Sequence, residues 1–175
     1  DVDNPAYRRY KPRDGLTFCN IYAHDYCDLA GVYLPRVWWN GPALVEIARG
    51  ATPESLIGAT VHEMRANDLF RWLRDFGLEF GWRQTGSLTK LQVAANQGAI
   101  ALIVARRKED GRSGHIVPVV PETDDPARRA RRNVDGEVTS PLQSQAGAVN
   151  FKYRAPAQAW WNGEQFAEFA MWIHP

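Results

Sequence analysis

Apolar positions fall into two regimes along the chain, spaced like helices before Gly98 and like strands after it. In TFCNIYAHDYCDLAG, apolar or aromatic residues at 18, 21, 22, 26 and 29 follow Thr17, a possible N-cap, and Gly31 closes the run, which predicts a first helix. TVHEMRANDLFRWLRDFG places apolar residues at 61, 64, 69, 70, 73 and 76 before Gly77, the stripe of an amphipathic second helix. SLTKLQVAANQG, between Ser87 and Gly98, predicts a third. Between the first two, VYLPRVWWNGPALVEIARG reads as loops, followed by a short helical turn at Pro53 to Ile57 behind Thr52.

Past Gly98, AIALIVARR and HIVPVV are short β-branched runs parted by the turn-rich KEDGRSG, hence two adjacent antiparallel strands. The charged TDDPARRARRNVDG reads as an exposed excursion from which EVTSPLQ returns as a third strand. NFKYRA and QFAEFAMWI are further strand candidates, though the latter could open as a helix. Helices first and then a meandering sheet define an α+β domain with N-terminal helices packed on an antiparallel β-sheet. One such domain accounts for residues 1–175, with 1–16 as an extended lead-in.

Composition removes several classes of function. Twenty-one Lys and Arg against 20 Asp and Glu leave a net charge of +1, no field that draws nucleic acid or an anionic membrane. The longest apolar stretch, Ala99 to Ala105, is far short of the roughly 18 residues of a membrane span, so no integral membrane segment is expected. Asp1 begins without a charged-then-apolar leader, so either a signal has been removed or the chain starts inside a longer polypeptide. ARRARR follows Asp124 and Asp125 in the excursion and reads as a solvated loop; no nucleic-acid partner is expected. SLTK lacks the companion motifs of penicillin-recognising enzymes, and Ser87 reads as a cap. GxGxxG and GxSxG are absent from the sequence.

The aromatic content is high, and both Trp38-Trp39 and Trp160-Trp161 continue as Asn-Gly. Trp is a core or interface residue; of the two pairs, Trp38 and Trp39, close behind the first helix, are the better candidates for substrate binding.

Cys19 and Cys27 share the first helix, where eight residues rise about 12 Å, beyond the reach of a disulfide. Cys19 lies in the first turn, where unpaired N–H groups and the helix dipole favour a thiolate; Cys27 lies where the dipole opposes one. A thiolate nucleophile needs a base. His24 is five residues on, about 140° around the helix and facing away from Cys19. HEMRA around His62 lacks the second His of a zinc motif, and His174 is penultimate. His115, opening an apolar strand after Ser113-Gly114, is the candidate base. If HIVPVV and EVTSPLQ are antiparallel neighbours, residue 115 lies opposite about 143, which makes Gln143 the preferred third group and Gln145 a neighbour. Glu122 is the stronger orienter chemically but sits about 23 Å away along the strand. No metal or other cofactor is required.

TFCN opening a helix, AIALIVA followed by SGHIVPVV with His at its start, and a polar residue on the next strand together resemble the papain-like bacterial cell-wall cysteine hydrolases of NlpC and CHAP type. PLQSQAGAVN and EMRANDLFRWL look like stretches of secreted antibacterial effectors and phage lytic proteins. The resemblance spans roughly Thr17 to Asn150, with only the Cys and His positions specific. It implies a papain-like fold, Cys19 as nucleophile, His115 as general base and the Cys19 backbone N–H in an oxyanion hole. It further implies a peptidoglycan stem-peptide substrate cut at an amide bond, secretion or delivery to the bacterial periplasm or cell wall, and an immunity or inhibitor protein as a partner. Gln143 departs from the family's usual third residue. Two other readings stay open: a deamidating or acyl-transferring toxin of the same fold, and a non-catalytic Trp-rich wall-binding module.

Overall fold

The computed structural model describes residues 2–109 and 111–175. Its helices are α1 (Cys19–Leu29), α2 (Gly41–Ala48), α3 (Ala66–Asp75) and α4 (Leu88–Asn96). Its strands are β1 (Val37–Trp39), β2 (Val61–Glu63), β3 (Arg83–Thr85), β4 (Ile100–Arg107), β5 (His115–Val119), β6 (Arg131–Arg132), β7 (Val138–Ser140), β8 (Gln143–Gln145), β9 (Phe151–Arg154) and β10 (Phe166–His174). The main sheet runs β3-β10-β4-β5-β8-β9 with every pairing antiparallel, which makes the chain an α+β protein.

β4 explains why its sequence shows no polar alternation. Ile100, Leu102 and Val104 face one core with Cys19, Leu69 and Trp72, whereas Ala101, Ile103 and Ala105 face a second with Leu91, Trp161 and Met171. A strand covered on both sides must be apolar at every position. α1 and α3 lie over the first face and α4 over the second.

The helices follow their caps. Ser87 Oγ accepts the Lys90 N–H at 3.2 Å, and Asp68 Oδ2 accepts the Arg65 N–H at 3.1 Å to open α3. The second helix therefore starts at Ala66 and not at Thr60, because Val61–Glu63 is taken by pairing with Val37–Trp39. The segment expected to be loops holds β1 and also α2, whose cap is the Asn40 side chain accepting the Ala43 N–H at 3.0 Å. Residues 53–56, by contrast, form no helix. The lead-in is not merely extended: Arg8–Tyr10 is a 3-10 turn, and Val2 and Tyr10 are buried. The last strand candidate is a strand from Phe166 onward, with no helical opening and with a register shift between Phe166 and Glu168.

The charged excursion folds back on itself. Arg132 donates to both oxygens of Glu122 at 2.7 and 2.6 Å, and Asn96 Nδ2 and the Ala130 N–H add 2.9 and 2.8 Å bonds. Those bonds, led by Arg132 and resisted by burial, hold the Glu122 carboxyl at about 2. A depressed carboxylate stabilises the fold above its unfolded pKa, and that contribution is lost as pH falls toward 2. Glu122→Gln is expected to be less stable by about 2 kcal/mol at pH 7. Urea unfolding should show the gap closing between pH 5 and 2; an unchanged gap at pH 2 would contradict the assignment.

Candidate active site

Cys19 is the first residue of α1, behind Phe18, which serves as the N-cap in place of the expected Thr17. α1 packs across β5, which brings the sulfur near enough to the imidazole of that strand's opening residue for Cys19 and His115 to shift each other's ionisation. Cys19 is 2 % exposed and His115 is half-buried. Burial opposes ionisation of the thiol. The polar contact and charge of His115, followed by the backbone N–H groups of Ile116 and Asn20, outweigh it and set Cys19 below the ordinary thiol value. Burial likewise opposes the imidazolium, but Cys19 and then Gln145 raise His115 above the ordinary histidine value. The two shifts have opposite signs and a shared cause, each group favouring the charged form of the other. Cys27, fully buried without such a partner, is pushed well up. Both thiols are free.

Gln145, and not Gln143, holds the imidazole. Gln145 Oε1 lies 2.8 Å from His115 Nε2, while Gln145 Nε2 donates to the Val149 carbonyl at 2.8 Å. The second bond fixes which end of the amide faces the ring, so His115 Nε2 carries the proton and Nδ1 is left for the sulfur. The expected register fails because Pro141, which has no N–H to donate, breaks EVTSPLQ. β7 turns back to β6, and β8 joins β5 with Val119 opposite Gln143. That register brings residue 147 level with His115; a Cβ on Gly147 would stand 3.5 Å from His115 Cε1. Glu122 is engaged by Arg132 beyond the far end of β5.

Gln143 is fully buried and bonds elsewhere, its Oε1 accepting the Trp160 indole N–H at 2.9 Å. The Trp160 ring stands edge-on to His115, with centroids 4.8 Å apart at 72°. The aromatic wall against the imidazole is therefore Trp160. Trp38 packs edge-on to Trp72 at 5.6 Å and borders a 160 Å³ cavity with His62, Met64 and Phe76; Trp39 is half-buried beside it on β1. Nearness in the chain to the first helix, which favoured Trp38 and Trp39, was the wrong guide: it is Trp160 of the second Trp-Trp-Asn-Gly motif that the fold brings to the histidine.

Gln145→Ala should slow Cys19 alkylation at acid pH by about tenfold, because the bond it removes favours the charged ring. Gln143→Ala should instead cost about 1–3 kcal/mol of stability and alter that rate by no more than about threefold. Alkylation rates read beside thermal unfolding separate the two; equal effects on both would refute the division.

The remaining histidines lie elsewhere. His24 Nδ1 sits 2.6 Å from the Leu34 carbonyl, and His62 is on β2 opposite Trp38. Among the described residues, no three His, Cys, Asp or Glu side chains converge to hold a metal ion, and no helix is long and apolar enough to cross a membrane. No family model matches the chain, and no curated protein or solved structure matches it significantly.

Proposed function

We propose that the chain is a papain-like cysteine amidase or peptidase that hydrolyses an amide bond of a peptidoglycan stem peptide in the bacterial envelope. The observation that carries it is the ordered series Cys19, His115, Gln145 at a helix N-terminus, with the thiol lowered and the imidazole raised. The Cys19 thiolate attacks the amide carbonyl carbon, and the oxygen takes the negative charge beside the Cys19 N–H at the opening of α1. His115 gives its Nδ1 proton to the leaving nitrogen as the C–N bond breaks, leaving a thioester. Water then attacks the thioester carbonyl, His115 takes up one of its protons, and the C–S bond breaks to restore the Cys19 thiolate and release the carboxylic acid, which loses its remaining proton to solvent. Gln145 keeps the ring oriented through each transfer. Resemblance of TFCN and SGHIVPVV to wall hydrolases supports the choice of substrate.

Defined muropeptides incubated with the protein and weighed by mass spectrometry test this directly. The expected product pair gains one water across a single amide bond. Intact muropeptides, with Cys19 selectively alkylated in the same preparation, would remove the wall substrate and keep the nucleophile.

A further inference from the structure

Gln145 can serve His115 only while its own amide is held, and its holder is the turn that follows it. Val149, whose carbonyl receives Gln145 Nε2, precedes Asn150. Asn150 Oδ1 accepts the Gly147 N–H at 3.0 Å, closing the turn. Asn150 Nδ2 donates to the carbonyls of Val2 at 3.0 Å and Tyr10 at 2.9 Å. Every hydrogen-bonding direction of this amide except one acceptor lone pair is thus spent, one on closing the turn and two on joining it to the chain's opening segment. That segment is itself seated on the nucleophile's helix: Tyr10 donates its hydroxyl to Asp25 of α1 at 2.7 Å, and Val2, Tyr10 and Ala146 pack together against Ile21 and Tyr22.

We propose that Asn150 is a positioning residue for the Cys19–His115 pair, and that the segment ahead of α1 sets the pair's poise through it. The inference rests on the reading of the pair as nucleophile and base. The lead-in is a tie between the helix carrying the sulfur and the turn carrying the imidazole's partner. Among the described residues, Cys19 is the titratable group that acts on His115, so a change in the ring's behaviour with Cys19 intact reports on Gln145. Releasing the turn lets the Gln145 amide rotate, removes the acceptor for Nε2–H and weakens the imidazolium.

The full chain carrying Asn150→Asp keeps the acceptor for Gly147 and loses both donors to the lead-in. Iodoacetamide alkylation of Cys19 across pH is expected to move its acid limb upward, with the rate at pH 5 falling about fivefold. In the Cys19→Ala background, the slowly exchanging His115 Nε2 proton should appear in NMR spectra and disappear when Asn150→Asp is added. Asn150→Ser carries the same expectation and is read where the Asp variant does not fold. Folded variants with a wild-type pH profile and an intact Nε2 proton would overturn the proposal. Failure of the catalytic reading looks different: wild-type Cys19 would react no faster than Cys27, while the His115 proton would still show whether Asn150 holds Gln145.

Discussion

Cys19→Ala protein, folded as the wild type, is expected to leave every stem-peptide amide intact, a loss of at least about a thousandfold in turnover. His115→Ala should fall nearly as far, since the two residues act as a unit and their effects do not add. The pH dependence has a definite sign. The reactive form needs the thiolate and the imidazolium together, so the rate rises through a thiol pKa below the ordinary value and falls through an imidazole pKa above its own. Alkylation of Cys19 followed across pH checks this without any substrate. A rate that climbs only in the ordinary thiol range, and matches that of an unstructured thiol, would show that sulfur and imidazole share no proton.

Gly114→Ala is expected to remove most activity and about 2–4 kcal/mol of stability, though it adds a single methyl group. A Cβ there would stand 2.3 Å from the Ala105 carbonyl oxygen and 2.5 Å from Asn67 Oδ1. Neither can retreat. Ala105 is paired with His115 at the end of the β4–β5 ladder, and Asn67 Oδ1 accepts the Arg107 N–H at 2.9 Å while its Nδ2 donates to the Arg112 carbonyl at 2.8 Å. Opening that ladder displaces the imidazole from the sulfur. Gly86→Ala, where a Cβ meets nothing within 4 Å, is the matched control and should behave as wild type in urea unfolding and in alkylation. A Gly114→Ala protein indistinguishable from that control would show that strand spacing does not position His115.

What could be read from the chain follows from which forces are local. Cys19 was legible because a helix start and its dipole are written in neighbouring residues, and His115 because Ser113-Gly114 precedes an apolar run. The α+β class follows from the change of hydrophobic period at Gly98. Gln145 could be named only as an alternative to Gln143, since the pairing of β8 depends on how many residues the Glu122–Arg132 excursion consumes and on the break at Pro141. β1 and β2 stayed hidden because three-residue strands stabilise each other across 21 intervening residues and carry little pattern of their own. α2 did have a signal, Asn40 as cap and Pro42 in the first turn, which the surrounding Gly and Pro outweighed.

The two-sided strand β4 offers a way to take the molecule apart by function. Leu102 borders the layer that holds α1 and Cys19, and Ile103, one position along, borders the layer beneath α4. Trimming either opens a comparable hollow, yet only the first hollow adjoins the helix that carries the sulfur. Neighbouring codons of one strand therefore divide injury to the scaffold from injury to the chemistry.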